Sequence, residues 1–186
     1  MTVAVAFAQT TIALRDLLQS ALRLDAGWRL TGGAPRITTL PHGKPDKGSG
    51  ERLNLGLVAA GPGLELRNQP PPAPAEGAHL LAYDLRYLIT VHVLLPLHAE
   101  ILIGVALEAL NMTPVLKVGP TTPNDDAFEA SIMAGQGVVP GHSPHLTVEV
   151  AEARSFDILR VPALLVRVSP VVVAPPQPPQ SILKPR

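Results

Sequence analysis

The stretch HLLAYDLRYLITVHV, residues 79–93, decides how the chain is read. At alternate positions Leu81, Tyr83, Leu85, Tyr87, Ile89, Val91 and Val93 fall on one side of an extended backbone, with Asp84, Arg86, Thr90 and His92 on the other. The period of two predicts a strand with one buried face. Leu80, Ala82 and Leu88 share the second face with the charges, so that face is predicted to meet another protein surface or a partly covering helix rather than open water.

Outward from this strand, elements of both kinds appear. With Thr10 or Thr11 as N-cap, Ile12, Leu14, Leu17, Leu18, Ala21 and Leu22 recur at helical spacing and predict a helix over residues 11–25 with one face on a sheet. RITTL, residues 36–40, reads as a short strand, and residues 41–51 as a polar loop. LNLGLV puts Leu53, Leu55 and Leu57 on one face of a second strand that ends at Gly61–Gly63. QPPPAPAEG, residues 69–77, favours polyproline II and links stiffly into the opening strand.

After Pro96 a helical stripe of Ile101, Leu102, Val105, Ala109 and Leu110 runs to Asn111 and Pro114. Gly104 on that helix costs up to about 1 kcal/mol relative to alanine, which implies close packing against a neighbour. Residues 117–145 read as a long excursion rich in Gly, Pro, Thr and Asp. HLTVEV (145–150) is a third clear strand, and PALLVRVSPVVV (162–173) a fourth, whose Pro170 places at least that end on a sheet edge. The expected architecture is α+β, a small central sheet with helices packed on it, over residues 1–173, followed by an extended Pro-rich C-terminal tail at 174–186.

Composition narrows the function classes. The chain has 186 residues, enough for one domain with a substantial core, and 46% of them are apolar. Fifteen basic residues balance fifteen acidic ones, which removes the long-range attraction that nucleic acid or an anionic membrane would use. The absence of cysteine excludes disulfides, thiolate metal sites and a cysteine nucleophile, and suits assembly in the cytoplasm. MTVAVAFAQTTIALRDLL lacks the basic start of a signal peptide, and no window is apolar enough for a spanning helix. With one Trp, two Tyr and three Phe, the core must be aliphatic, and the 21 prolines mark much of the chain as connection.

No set of reactive groups converges. Asp84 and His92 share a strand face, but eight residues of strand separate them by about 26 Å. His92, His98 and Glu100 bracket a turn without a further strong ligand, and His142 with His145 reads as a solvated loop pair. GPG and GQG do not join a strand to a helix as a phosphate cradle requires, and no serine occupies a G-x-S-x-G elbow. No catalytic, metal or cofactor residues are therefore assigned.

The order of LNLGLV, LRNQPPP, LAYDLRYLITVHV and HAEILIGVALEALNMTPVL resembles the tail-terminator or cap proteins of phage-tail-like contractile injection systems, the group that includes antifeeding-prophage and virulence-cassette particles. The match falls on Leu66, Arg67 and Asn68, then Asp84, Leu85, Tyr87, Leu88 and Thr90, and continues through Leu102, Gly104, Ala106, Leu110, Thr113 and Pro114. The block covers residues 53–116, whereas 117–160 match loosely.

The resemblance implies a non-enzymatic structural subunit: a six-fold ring that ends the inner tube and outer sheath and couples them, in a phage-tail-like particle. Its implied partners are its own copies, the tube protein and the sheath protein. The alternatives are a baseplate-end adaptor or completion protein of the same particle, and a small hydrolase or ligand-binding domain. In the terminator reading Tyr83 and Tyr87 lock the strand into the sheet with their hydroxyls at its margin, and Asp84 with Arg86 fastens the loop carrying Arg67 and Asn68. Candidate partner contacts are Pro70, Pro71 and Pro72 in the arc, the excursion 117–145, Val171, Val172 and Val173 as a strand given to a neighbour, and Ile182 and Leu183 as an apolar hook in the tail.

Overall fold

The structure, a computed structural model, describes residues 2–24, 35–39, 51–63, 81–119, 127–135, 137–139, 143–149 and 162–173. The elements in chain order are α1 (Thr2–Leu24), β1 (Arg36–Thr38), β2 (Arg52–Pro62), β3 (Leu81–His92), α2 (Pro96–Met112), α3 (Ala127–Ala134), β4 (His145–Glu149) and β5 (Ala163–Val173). The strands form one mixed sheet in the order β1-β2-β3-β5-β4, with β1 parallel to β2 and the other pairs antiparallel. The predicted α+β architecture is the one observed.

β3 is the central strand, and its alternation sets the layers. Leu85, Tyr87, Ile89 and Val91 are buried on the helix-facing side, in register with Leu53 and Leu55 of β2 and Val166 and Val168 of β5. Leu14 and Leu18 of α1, and Leu102 and Leu110 of α2, close over that face in one continuous core. Each such side chain contributes roughly 1.5–3 kcal/mol by leaving water. Pro96 opens α2 in its first turn, where a missing amide hydrogen costs nothing, and Thr113 N donates to Ala109 O at its end.

Several expectations need correction. α1 begins at Thr2, not near residue 11, and the Thr10 and Thr11 hydroxyls donate within the helix to Ala6 O (2.8 Å) and Phe7 O (2.9 Å) instead of capping it. Leu57 keeps the predicted face, in register with Tyr87, but is 43% exposed where the register with β3 shifts just beyond it. β5 as a whole lies between β3 and β4, but Pro170 stands beyond the β4 ladder, as expected for that end of the strand. It falls where the register with β3 shifts and just past Ser169, the end of the β4 ladder, so no ladder bond needs its amide. Gly104 is exposed, and among the described residues no atom outside its own helix backbone lies within 4 Å of where a Cβ would stand, so it serves no close packing there.

The excursion 117–145 contains a helix, α3, held against α1. Gln9 on α1, nearly fully buried, donates to the carbonyls of Ile132 (3.0 Å) and Gly135 (2.8 Å) at the end of α3 and accepts from Val138 N (3.0 Å). It thereby satisfies carbonyls that a helix end leaves without intrahelical donors. A Cβ at Gly137 would stand 2.3 Å from Gln9 Oε1 and 2.7 Å from Ala6 N, so only glycine permits this approach. Gly137→Ala is expected to destabilise by about 1–3 kcal/mol, read as a lower denaturation midpoint. An unchanged midpoint would mean that the segment does not rest on α1.

Candidate interaction surfaces

The polar groups on the second face of the sheet brace strands to one another. Asp84 Oδ2 accepts from Arg167 Nη2 (2.6 Å) and Oδ1 accepts from the Ser169 hydroxyl, both on β5. Arg86 reaches Glu149 of β4 at 3.5 Å. Asp84 therefore fastens β3 to β5 across a register shift. The predicted partners Arg67 and Asn68 lie outside the described residues. Thr90 and Asn54, in register on this face, are 1% and 7% exposed, and Thr38 Oγ1 of β1 donates to Asn54 Oδ1.

The two tyrosines differ. Tyr83 is half-buried and meets Phe7 of α1 edge to face, with ring centroids 5.3 Å apart. Tyr87 is fully buried, and its hydroxyl meets Thr11 Oγ1 at 2.9 Å beneath α1 instead of reaching the margin. Burial pushes its pKa up to about 12, against the opposing effect of the Thr11 hydrogen bond. Arg15 of α1 forms a two-pronged pair with Glu129 of α3, and the hydrogen bond to that carboxylate is the chief reason its pKa lies above the usual guanidinium value.

Of the remaining sequence-selected positions, Pro114 lies just past α2, and its carbonyl accepts from Leu146 N (2.8 Å) to tie the helix exit to β4. Val171, Val172 and Val173 are 0%, 4% and 0% exposed. They pair with Tyr83, Ala82 and Leu81 on one side, while Val139 N donates to Val172 O and Val138 bridges Val173 on the other. This strand is consumed by the chain's own sheet and is not available to a neighbour. Pro70, Pro71, Pro72, Ile182 and Leu183 lie outside the described residues.

Two surface features were not singled out from sequence. At the β3–α2 turn, Leu94, Leu95 and Leu97 are 93%, 55% and 69% exposed within four residues. The turn is held by Pro96 and by His98, whose ring nitrogen is hydrogen-bonded to Glu51 at the entry to β2. VLLPL looks like a strand running out into a helix, and only the folded turn turns its leucines outward. At the other end of α2 lies an apolar groove of about 340 Å³, lined by Ala13 and Leu17 of α1 and by Val115 and Leu116, with Asp16 and Lys117 beside them. Among the described residues no cluster of His, Asp and Glu suits a metal ion, and no helix is long and apolar enough to cross a membrane.

No family model matches the chain, and no curated protein matches it in sequence. Its fold is similar to that of the PVC sheath/tube terminator in the extended state, from the cryo-EM structure of an extracellular contractile injection system, with a TM-score of 0.55 at 16% identity. The likeness covers 94% of this chain and 60% of that chain, so the residues here span somewhat over half the length of that terminator. The sheet centred on residues 81–92, with helices closed over one face, is therefore similar in fold to somewhat over half of that sheath/tube terminator.

Proposed function

We propose that the chain is a structural cap of a contractile injection system, ending the inner tube and outer sheath and coupling the two. The observation that carries this reading is the likeness to the sheath/tube terminator over 94% of the chain. The ordered motif block at 53–116 points independently to the same family. A contact role also suits the molecule's chemistry, because its described ion pairs brace its own elements while several large apolar side chains, Leu94 and Leu97 among them, face outward.

In this reading the protein works as a ring of six copies whose partners are the tube and the sheath, as a component of a phage-tail-like particle. Residues 1–173 form the cap, and 174–186 are a tail whose Ile182 and Leu183 hook a partner. The test is reconstitution on growing tube and sheath, with lengths and ends imaged by electron microscopy. Capping should give ends carrying a ring and a halt in growth of both layers. Unchanged length distributions with bare ends would sink the reading. A variant lacking 174–186 should bind tube ends but lose sheath attachment.

A further inference from the structure

We infer that the two ends of α2 are the two halves of a contact between copies of this chain: Leu94, Leu95 and Leu97 of one copy seat in the groove beside Val115 and Leu116 of the next. This deepens the ring reading above by naming the surface through which copies join. Scattered exposed leucines are ordinary, but these three lie within four residues and are up to 93% exposed. They stand on a turn fixed by Pro96 and the His98–Glu51 bond, so little ordering entropy is lost when they dock.

The groove is matched to them in size and polarity. Its volume of about 340 Å³ is more than twice the ~150 Å³ that admits a benzene-sized apolar guest, so leucine side chains fit it. The charges agree as well. Exposed Lys117 is the positive group at the groove, where Asp16 shares Arg15 with Glu129, and Glu100, exposed one turn beyond Leu97, is the negative group at the knob.

α2 has 17 residues, so knob and groove lie about 25 Å apart on one copy and cannot satisfy each other. The contact is head to tail, the kind that closes into a ring when the rotation between copies permits.

Because the chain has no cysteine, disulfide trapping tests this directly. Leu94→Cys and Val115→Cys are too far apart to join within one copy, since a disulfide needs Cα atoms within about 7 Å. Oxidised at high concentration, the double variant should give a ladder of linked species. The two single variants should give linked dimers when mixed and none alone. By light scattering, the full chain should assemble, whereas Leu94→Glu with Leu97→Glu should weaken self-association by about a hundredfold at unchanged melting temperature. Glu100→Lys should weaken it too, and adding Lys117→Glu should restore it.

A wild-type chain that stays monomeric at every concentration overturns the proposal. So do assemblies that survive the leucine variant and form no cross-links. If that variant instead loses only tube or sheath binding, the knob belongs to those partners and the copy contact is wrong. Capping is scored separately on tube and sheath ends: a failed copy contact with intact capping spares the cap reading, and an intact contact without capping sinks the cap reading alone.

Discussion

Replacing Tyr87 with alanine is expected to cost about 3–5 kcal/mol, the range for removing a large ring from a packed core. Tyr87 is fully buried in the central strand, opposite Leu57 of β2 and Val166 of β5, with Thr11 of α1 over its hydroxyl. For a chain of this size the loss corresponds to roughly 6–20 °C in melting temperature, a large share of a typical domain's stability.

Tyr87→Phe separates the ring from its hydroxyl. It should cost only about 1 kcal/mol, because Thr11 keeps its bond to Phe7 O and no buried donor is orphaned. The same variant carries a pH signature. In the folded chain the hydroxyl titrates at about 12, and in the unfolded chain at about 10. The stabilisation from this group is therefore fully present below pH 10 and is lost as pH rises toward 12, since the unfolded chain releases the proton first. Urea midpoints at pH 8, 10 and 11 should fall more steeply for wild type than for Tyr87→Phe. Parallel slopes would mean that the hydroxyl is not held neutral under α1.

What the sequence revealed followed the range of the interaction behind each feature. β3 was legible because alternation is local: Leu85, Tyr87, Ile89 and Val91 specify their face without reference to any partner. The stripe of α2 was legible for the same reason. The start of α1 was not, because a threonine pair ahead of an apolar stripe looks like a cap, whereas here the same hydroxyls back-bond within a helix already nine residues old.

α3 was missed because eight residues without a buried side chain carry little periodicity, and what holds them is Gln9, more than 120 positions away. Val171–Val173, at the end of the last described strand, looked free to be donated, because the segment at Val138 and Val139 that occupies their other side comes from the excursion, where no pairing was expected. The β5 partner of Asp84 was not legible for a related reason. Alternation gave its face correctly, but the pairing with Arg167 depends on the register of a strand 83 residues on.

That pairing carries the second large effect. Arg86 and Arg167 stand directly opposite each other on β3 and β5, a like-charge pair that alone would push the strands apart. Asp84 on Arg167 and Glu149 near Arg86 offset this repulsion. With the Asp84 and Arg167 side chains 15% and 28% exposed, the pair is partly screened, so Asp84→Ala should cost about 2–3 kcal/mol, below the 3–5 of a fully buried break.

Arg167→Ala should cost less, because it also removes one member of the arginine pair. The double variant should fall short of the sum by about 1–2 kcal/mol, measured by denaturant unfolding of all four chains. Additive losses would mean that the two groups do not support each other. The same four chains also decide what the residue is for. If Asp84→Ala lowers stability and the surviving folded fraction still caps tube and sheath, the carboxylate serves the sheet. If stability is unchanged and capping is lost, Asp84 faces a partner, and the brace to β5 is not what this position contributes to assembly.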